Sequence, residues 1–386
     1  MTINPVTLNW PNHIEFGSGK IKTLVNYLKD SKRVFVLIDP PIKPLLEDIF
    51  KEVSKLGIEL NISTNVVPEP PINELKKHFE PVKKFSPDTV VGIGGGSAMD
   101  MAKLIAVLFD GSQKVEDVIG IGNVKSRHVK LICASTTSGT GSEVTPIAVL
   151  TDTEAKLKKG VVSPYLVPDV SIVDPDLTIG LPSAITAATG MDAMTHCIEA
   201  YTNKHAHPII DNITLEGIRL IGRSLERACN NGKDIEARTD LALGSLYGGL
   251  ALGPVNTAAV HALAYPLGGE FKISHGVSNS VLLPFVMQFN YTSSKEKYAN
   301  VAKALGVKDT GNTEDMARAA VKKVREISNR CKIPASIKEL GIPENAINEM
   351  SEAAMKVVRL LGNNPRTVTL EDVKGIYRKA YDGVVG

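Results

Sequence analysis

The hydrophobic pattern of this chain changes character near residue 180. Upstream, short β-branched and aliphatic runs alternate with stretches of helical spacing. The runs are Arg33-Val-Phe-Val-Leu-Ile-Asp39, Asp88-Thr-Val-Val-Gly-Ile-Gly94, residues 129–134, and Val167-Pro-Asp-Val-Ser-Ile-Val-Asp-Pro175. Apolar runs without polar alternation are those of parallel strands covered on both faces. Downstream, strand signals nearly vanish, and the three-to-four spacing of helices takes over from Pro182. It predicts helices over 211–229, 234–252, 276–290, 295–305, 313–331, 344–361 and 369–381. The expected fold class is therefore an α/β N-terminal domain over 1–180 followed by an all-α C-terminal domain over 181–386. No internal repeat or low-complexity segment interrupts either half.

The second run ends in Gly92-Ile-Gly94-Gly-Gly-Ser97, and helical character follows over 98–109. Strand, glycine turn and helix in that order let a backbone approach a pyrophosphate, whose charge the free amides of the helix start favour. Gly92 and Gly94 fit the first two glycines of the dinucleotide fingerprint, and Ser97 takes the place of the third. A second polar loop, Ser135-Thr-Thr-Ser-Gly-Thr-Gly-Ser-Glu-Val-Thr145, follows the run at 129–134. Either loop alone is compatible with an ordinary connection; two of them after strands point to a crevice at the carboxyl ends of a parallel sheet. Asp39 closes an earlier strand, where a carboxylate can accept from ribose hydroxyls and repel a 2′-phosphate, so NAD(H) is expected over NADP(H). Because Asp39 precedes the glycines, the sheet is wired differently from an ordinary Rossmann domain.

The helical half carries a second kind of chemistry. Asp192 and His196 lie four apart in a helical run and share a face; His261 sits in a second such run, and His275 opens a third. Three neutral imidazoles and one carboxylate suit ferrous iron or zinc better than magnesium or calcium. A lone helical histidine is usually packing or surface, so the set carries the argument. His205 and His207 alternate but are expected in an exposed loop beside Pro208.

At 386 residues and 43% hydrophobic, the chain can bury two cores. A formal charge of +2 with dispersed Lys and Arg gives no basic stripe for nucleic acid. No apolar run reaches membrane-spanning length, and Met1-Thr-Ile-Asn-Pro5 lacks the regions of a signal peptide, so a cytoplasmic protein is expected. Cys133, Cys197, Cys229 and Cys331 are widely separated, as in a reducing compartment, and Cys197 should turn away from its neighbour His196 into the core.

Taken together, the chain closely resembles the iron-containing (group III) alcohol dehydrogenase family, from Phe16-Gly17 to the last helix. The motifs that carry the resemblance are Gly94-Gly-Gly-Ser-Ala-Met-Asp-Met-Ala-Lys103, Thr136-Thr-Ser-Gly-Thr-Gly-Ser-Glu-Val-Thr145, Pro168-Asp-Val-Ser-Ile-Val-Asp-Pro175, Gly190-Met-Asp-Ala-Met-Thr-His196, and His261-Ala-Leu-Ala-Tyr-Pro-Leu-Gly268 with Ser274-His-Gly276. The resemblance implies the dehydroquinate synthase-like architecture, with metal ligands Asp192, His196, His261 and His275. Around the dinucleotide it implies Asp39, Gly95, Gly96, Ser97, Asp100, Thr136, Thr137, Thr140, Lys158 and Leu177; Lys156 and Lys159 are near neighbours of Lys158. It further implies a homodimer or larger homo-oligomer that transfers a hydride between NAD(H) and a small alcohol or aldehyde, with iron(II) favoured and zinc as the alternative.

Two departures mark this chain. Tyr265 stands where many family members carry a second histidine proposed to relay a proton, so Tyr265 and His275 are the expected catalytic side chains. Leu252-Gly-Pro-Val-Asn-Thr257 replaces the usual Gly-Leu-Gly run before His261, and Ile147 and Leu252 are expected to line an apolar pocket. Competing readings are a glycerol dehydrogenase or dehydroquinate synthase-like lyase and, from a different class, a metal-dependent hydrolase of a phosphorylated substrate. A non-catalytic scaffold has no need of convergent ionisable groups in an apolar helical domain.

Overall fold

The computed structural model describes residues 5–154 and 157–384, so Met1 to Asn4 and Lys156, named above, lie outside the described residues. The chain divides into two compact units, Leu8–Ile179 and Gly180 onward, the second also taking the segment that ends at Thr7.

Among the described residues the first unit has nine strands: β1 (His13–Phe16), β2 (Arg33–Ile38), β3 (Glu59–Ser63), β4 (Thr89–Gly94), β5 (Gly120–Ile121), β6 (Lys130–Ser135), β7 (Ile147–Asp152), β8 (Leu157–Val162) and β9 (Val170–Val173). Six form an all-parallel sheet in the order β1-β9-β6-β4-β2-β3. Six short helices accompany them: α1 (Leu24–Leu28), α2 (Glu47–Lys55), α3 (Ile72–Lys76), α4 (Phe79–Phe85), α5 (Gly96–Leu108) and α6 (Val115–Val118). Successive side chains of the central strands enter different cores. Phe35, Leu37, Val90, Leu131 and Cys133 pack with α5 on one face; Val34, Val36, Ile38, Val91, Ile93 and Ile132 pack with α1 and α2 on the other. That two-sided burial explains the unbroken apolar runs, each such aliphatic side chain contributing roughly 1.5–3 kcal/mol.

After β2 the chain moves outward to β3 and then returns to the other side of β2 as β4, so the strand order reverses between β2 and β4. A ligand crevice opens at such a switch point, outside the carboxyl ends of the strands. A smaller sheet, β5-β8-β7, contains an antiparallel pairing of β7 with β8. The alternation of apolar runs did not signal it, because β8, Leu157-Lys-Lys-Gly-Val-Val162, is half polar.

The second unit is helical: α7 (Ser183–Thr202), α8 (Pro208–Asn230), α9 (Ile235–Leu252), α10 (Ala259–Phe271), α11 (His275–Asn290), α12 (Lys295–Ala304), α13 (Thr313–Arg330), α14 (Ile347–Met355), α15 (Val358–Leu361) and α16 (Leu370–Asp382). One apolar core runs through it, including Met191, Met194, Ile221, Leu263, Leu282 and Phe285. Glycines let the helices meet backbone to side chain: a Cβ on Gly190 would strike Leu225, and one on Gly217 would lie 2.7 Å from Cys197 Sγ. The predicted helix over 344–361 is broken at Val357, which leaves the helical region at ψ 49. Its buried face, 347, 350, 351 and 354, would next bury 358; the break instead leaves Val358 71% exposed and puts Leu360 into the core. Among the described residues, no helix is long and apolar enough to cross a membrane.

Candidate functional site

In the first unit, strand register places the loop residues at nearly one level. Ile38 pairs with Ile93 and Gly94 with Ser135, so Asp39 emerges level with Gly94 and Ser135, and Gly95 and Thr136 follow one residue on. Asp39 Oδ2 accepts the Gly95 N–H at 2.8 Å. Burial raises the Asp39 pKa, and that hydrogen bond opposes the rise. The close approach is why position 94 is glycine: φ is +157° and a Cβ would strike the Asp39 carboxylate. At Gly96 a Cβ would meet Thr140 Cγ2 at 2.7 Å, so the two polar loops abut at the first turn of α5.

Beneath them lies a group whose role the sequence did not reveal. Lys103 is fully buried, and its Nζ reaches Ser142 Oγ (2.8 Å), Thr145 O and Oγ1 (both 3.0 Å) and Ile147 O (2.9 Å). Asp100 is drawn into the same lattice, accepting from Ser142 Oγ at 2.5 Å and from the Val149 N–H at 2.9 Å. Thr136 is buried, Thr137 and Thr140 are half-buried, and Leu177 packs in the core. Lys158 pairs with Glu69 at 2.7 Å, and the Glu69 N–H donates to Ser97 Oγ at 3.0 Å, which ties β8 to the start of α5.

In the helical unit, the structure brings Asp192, His196, His261 and His275 together, with one donor atom of each inside a 4.8 Å span. Asp192 Oδ1 is the common neighbour, lying 3.9, 3.8 and 3.7 Å from the Nε2 atoms of His196, His261 and His275. The approach of α11 to α7 requires Gly276, whose Cβ would lie 2.5 Å from the Ala188 carbonyl oxygen. Burial drives the Asp192 pKa up, but the three imidazoles and Asn279 outweigh it, and the net direction is down. Burial and the neighbouring imidazoles hold His261 well below its ordinary range, so it stays neutral.

Glu199 belongs to no ligand motif in the sequence, although its place seven residues after Asp192 and three after His196 puts it on the same helical face. Its Oε1 accepts the Val260 N–H at 2.6 Å, and its Oε2 accepts from His261 Nδ1 at 2.6 Å. That bond fixes the tautomer and turns the His261 Nε2 lone pair toward the other donors. Glu199→Gln should therefore weaken binding of a divalent cation by about 10–100-fold, measured by chelator competition.

Tyr265 lies one turn beyond His261 on α10, half-buried against the core, and burial raises its pKa, so its phenol keeps its proton. Leu252 is buried at the end of α9, and Ile147 is half-buried at the start of β7. The segment before His261 is pinned by Asn203, which donates to the carbonyls of Val255 and Asn256, and by Asn363, which donates to Thr257 O. The expected exposed loop holds only for His205: His207 is buried and caps α8, its Nδ1 accepting the Ile209 N–H. Cys197 turns into the core, as its spacing predicted.

Known proteins resemble this chain over nearly its whole length. A family model described as iron-containing alcohol dehydrogenase matches residues 11–175, and one described as the C-terminal part of the Fe-containing alcohol dehydrogenase family matches 186–381. Long-chain-alcohol dehydrogenase 1 of Geobacillus thermodenitrificans is 39% identical over 378 residues, 96% of this chain and 95% of that protein. The NAD-dependent methanol dehydrogenase of Bacillus methanolicus is 33% identical over 369 residues, 94% of this chain and 97% of that protein. A crystal structure of 1,3-propanediol oxidoreductase superposes with a TM-score of 0.94 at 34% identity, covering 98% of this chain and all (100%) of the other. The chain belongs to the iron-containing alcohol dehydrogenase family.

Proposed function

We propose that this chain is an NAD(H)- and metal-dependent alcohol dehydrogenase that interconverts a small alcohol and its aldehyde. The observation that carries this reading is the convergence of three imidazole Nε2 atoms on one buried carboxylate oxygen, at 3.7–3.9 Å. The donor set fits a divalent borderline cation: the nitrogens are neutral ligands, one carboxylate supplies charge, and Glu199 orients an imidazole from behind. Such a cation, when bound, supplies a Lewis acid for the substrate oxygen. We assign Asp192, His196, His261 and His275 to hold it, with iron(II) favoured over zinc because four protein donors already complete a tetrahedron.

The first unit takes the dinucleotide. Gly95, Gly96 and Ser97 offer backbone amides at the start of α5 to the pyrophosphate, with Thr136, Thr137 and Thr140 beside them. Lys158 adds a cation, while Asp100 and Leu177 act from beneath, through Ser142 and through packing. Asp39 faces the ribose and disfavours a 2′-phosphate; Asp39→Ala should raise kcat/KM for NADP⁺ relative to NAD⁺ at least about tenfold, roughly 1.4 kcal/mol. Tyr265 keeps its proton and serves as a hydrogen-bond donor in proton exchange near His261 and His275. The four free cysteines support a cytoplasmic setting, and the family resemblance supports a homo-oligomer.

The test is NADH formation from NAD⁺ and a panel of primary alcohols and glycerol, using protein stripped of metal and reloaded separately with iron(II) or zinc. Turnover highest with iron and a primary alcohol is the expected result. Equal rates with both metals would overturn the iron assignment, and metal-independent turnover the whole reading.

A further inference from the structure

Asn279 lies one turn beyond His275 on α11 and is completely buried. Its Nδ2 is 2.7 Å from Asp192 Oδ1 and 3.1 Å from the Nε2 atoms of both His261 and His275. The orientation follows from chemistry. An ionised carboxylate only accepts, so the amide nitrogen faces it with one hydrogen directed at Asp192; each imidazole nitrogen has a single lone pair, which a bound cation would take.

Those three distances leave two positions, and the place of His196 selects between them. Asp192, His261 and His275 form one triangular face of the donor tetrahedron. The position inside that face would collide with His196 Nε2, which lies 3.9 Å from the same Asp192 oxygen. Nδ2 therefore sits on the outside and caps the face opposite His196. The capping comes at the expense of the other end of the amide, because Asn279 Oδ1 is buried with no hydrogen-bond partner among the described residues. An unmet buried acceptor is costly, so the N–H end holds this conformation in place.

The other faces of the tetrahedron all include His196. Of the four side chains, His275 is 34% exposed while the others are 5% exposed or less. An oxygen arriving from solvent thus meets the faces shared by His196 and His275.

We propose that Asn279 is a positioning residue that closes the face opposite His196 and restrains Asp192, so that the substrate oxygen is admitted only through a face shared by His196 and His275. This rests on the alcohol dehydrogenase reading for the identity of the oxygen, while the capping concerns the cation site alone. The geometry thereby sets the direction from which substrate approaches.

The full chain loaded with Co²⁺ tests it through visible absorption, which weakens as cobalt gains a fifth ligand, and through cobalt affinity by chelator competition. Asn279→Ala should open the face, weaken the cobalt bands and lower affinity by about tenfold or more. Asn279→Leu should keep the face filled, retaining the wild-type bands while losing affinity to a similar degree, a split that a merely structural role would not produce. Identical spectra and affinities in wild type and Asn279→Ala would overturn the proposal. A crystal structure of the cobalt-loaded wild type decides independently of how the variants fold: the carboxamide on that face supports the proposal, and a water oxygen opposite His196 overturns it. Failure of the underlying reading looks different: cobalt would still bind with the face capped, but the metal-loaded wild type would form no NADH from NAD⁺ and a primary alcohol.

Discussion

Asp192→Asn should lose cation binding by at least about a hundredfold, some 2.7 kcal/mol, and turnover with it. Asp192 Oδ1 is the one atom close to all three imidazole nitrogens, at 3.7–3.9 Å, and it is the only anionic donor among the four. An asparagine keeps the shape but presents a neutral dipole, and its amide nitrogen would meet the Asn279 amide donor to donor unless one of the two turned over. Thermal unfolding should change little, because the buried charge is costly to desolvate and its removal offsets part of the lost hydrogen bond. Metal content after dialysis, read beside the unfolding midpoint, separates loss of the site from loss of the fold. A variant that retains a full equivalent of iron would contradict the assignment.

The second large effect is expected at Lys103→Met, which should destabilise the first unit by about 3 kcal/mol or more and weaken NADH binding. The Lys103 ammonium has no exposed surface and is surrounded by Ser142 Oγ, Thr145 O, Thr145 Oγ1 and Ile147 O, all within 3.0 Å. Burial pulls its pKa down, and the acidic groups of Asp100 and Glu143 oppose that shift. Methionine fills the volume but removes the shared donor of these acceptors, leaving Ile147 O only the 3.3 Å bond from Thr145 Oγ1, in a loop that abuts the glycine turn through Thr140 and Gly96. Denaturant unfolding would report the stability and NADH fluorescence the affinity. Loss of stability with unchanged NADH binding would show that Lys103 supports the fold without shaping the cofactor loop.

Much of this site was legible because its chemistry follows helical and strand periods. Asp192 and His196 share a face by spacing alone, and Asp39 and Gly94 end their strands. The same rule would have found Glu199, three residues after His196, and Asn279, four after His275. Glu199 is a ligand type that here bonds an imidazole and a backbone amide instead, Asn279 is not one, and only the neighbouring helices show what their side chains meet. Lys103 stood in a recognisable motif, but burial of a lysine is not visible in a run as short as Asp-Met-Ala-Lys103; its partners lie about forty residues further on. The β7–β8 pairing and the break at Val357 were lost for a different reason. Both depend on tertiary packing that overrides local pattern: a half-polar strand held by its partner, and a helix turned so that Leu360 replaces Val358 in the core.

The most direct test of the account is an anaerobic iron(II) titration of metal-stripped protein, followed by NADH formation from NAD⁺ and a primary alcohol. Activity should rise linearly and break at one iron per chain in the wild type, and stay flat in Asp192→Asn. Full activity before iron is added, or an equal rise in the variant, would contradict the claim that these four side chains hold the cation on which the reaction depends.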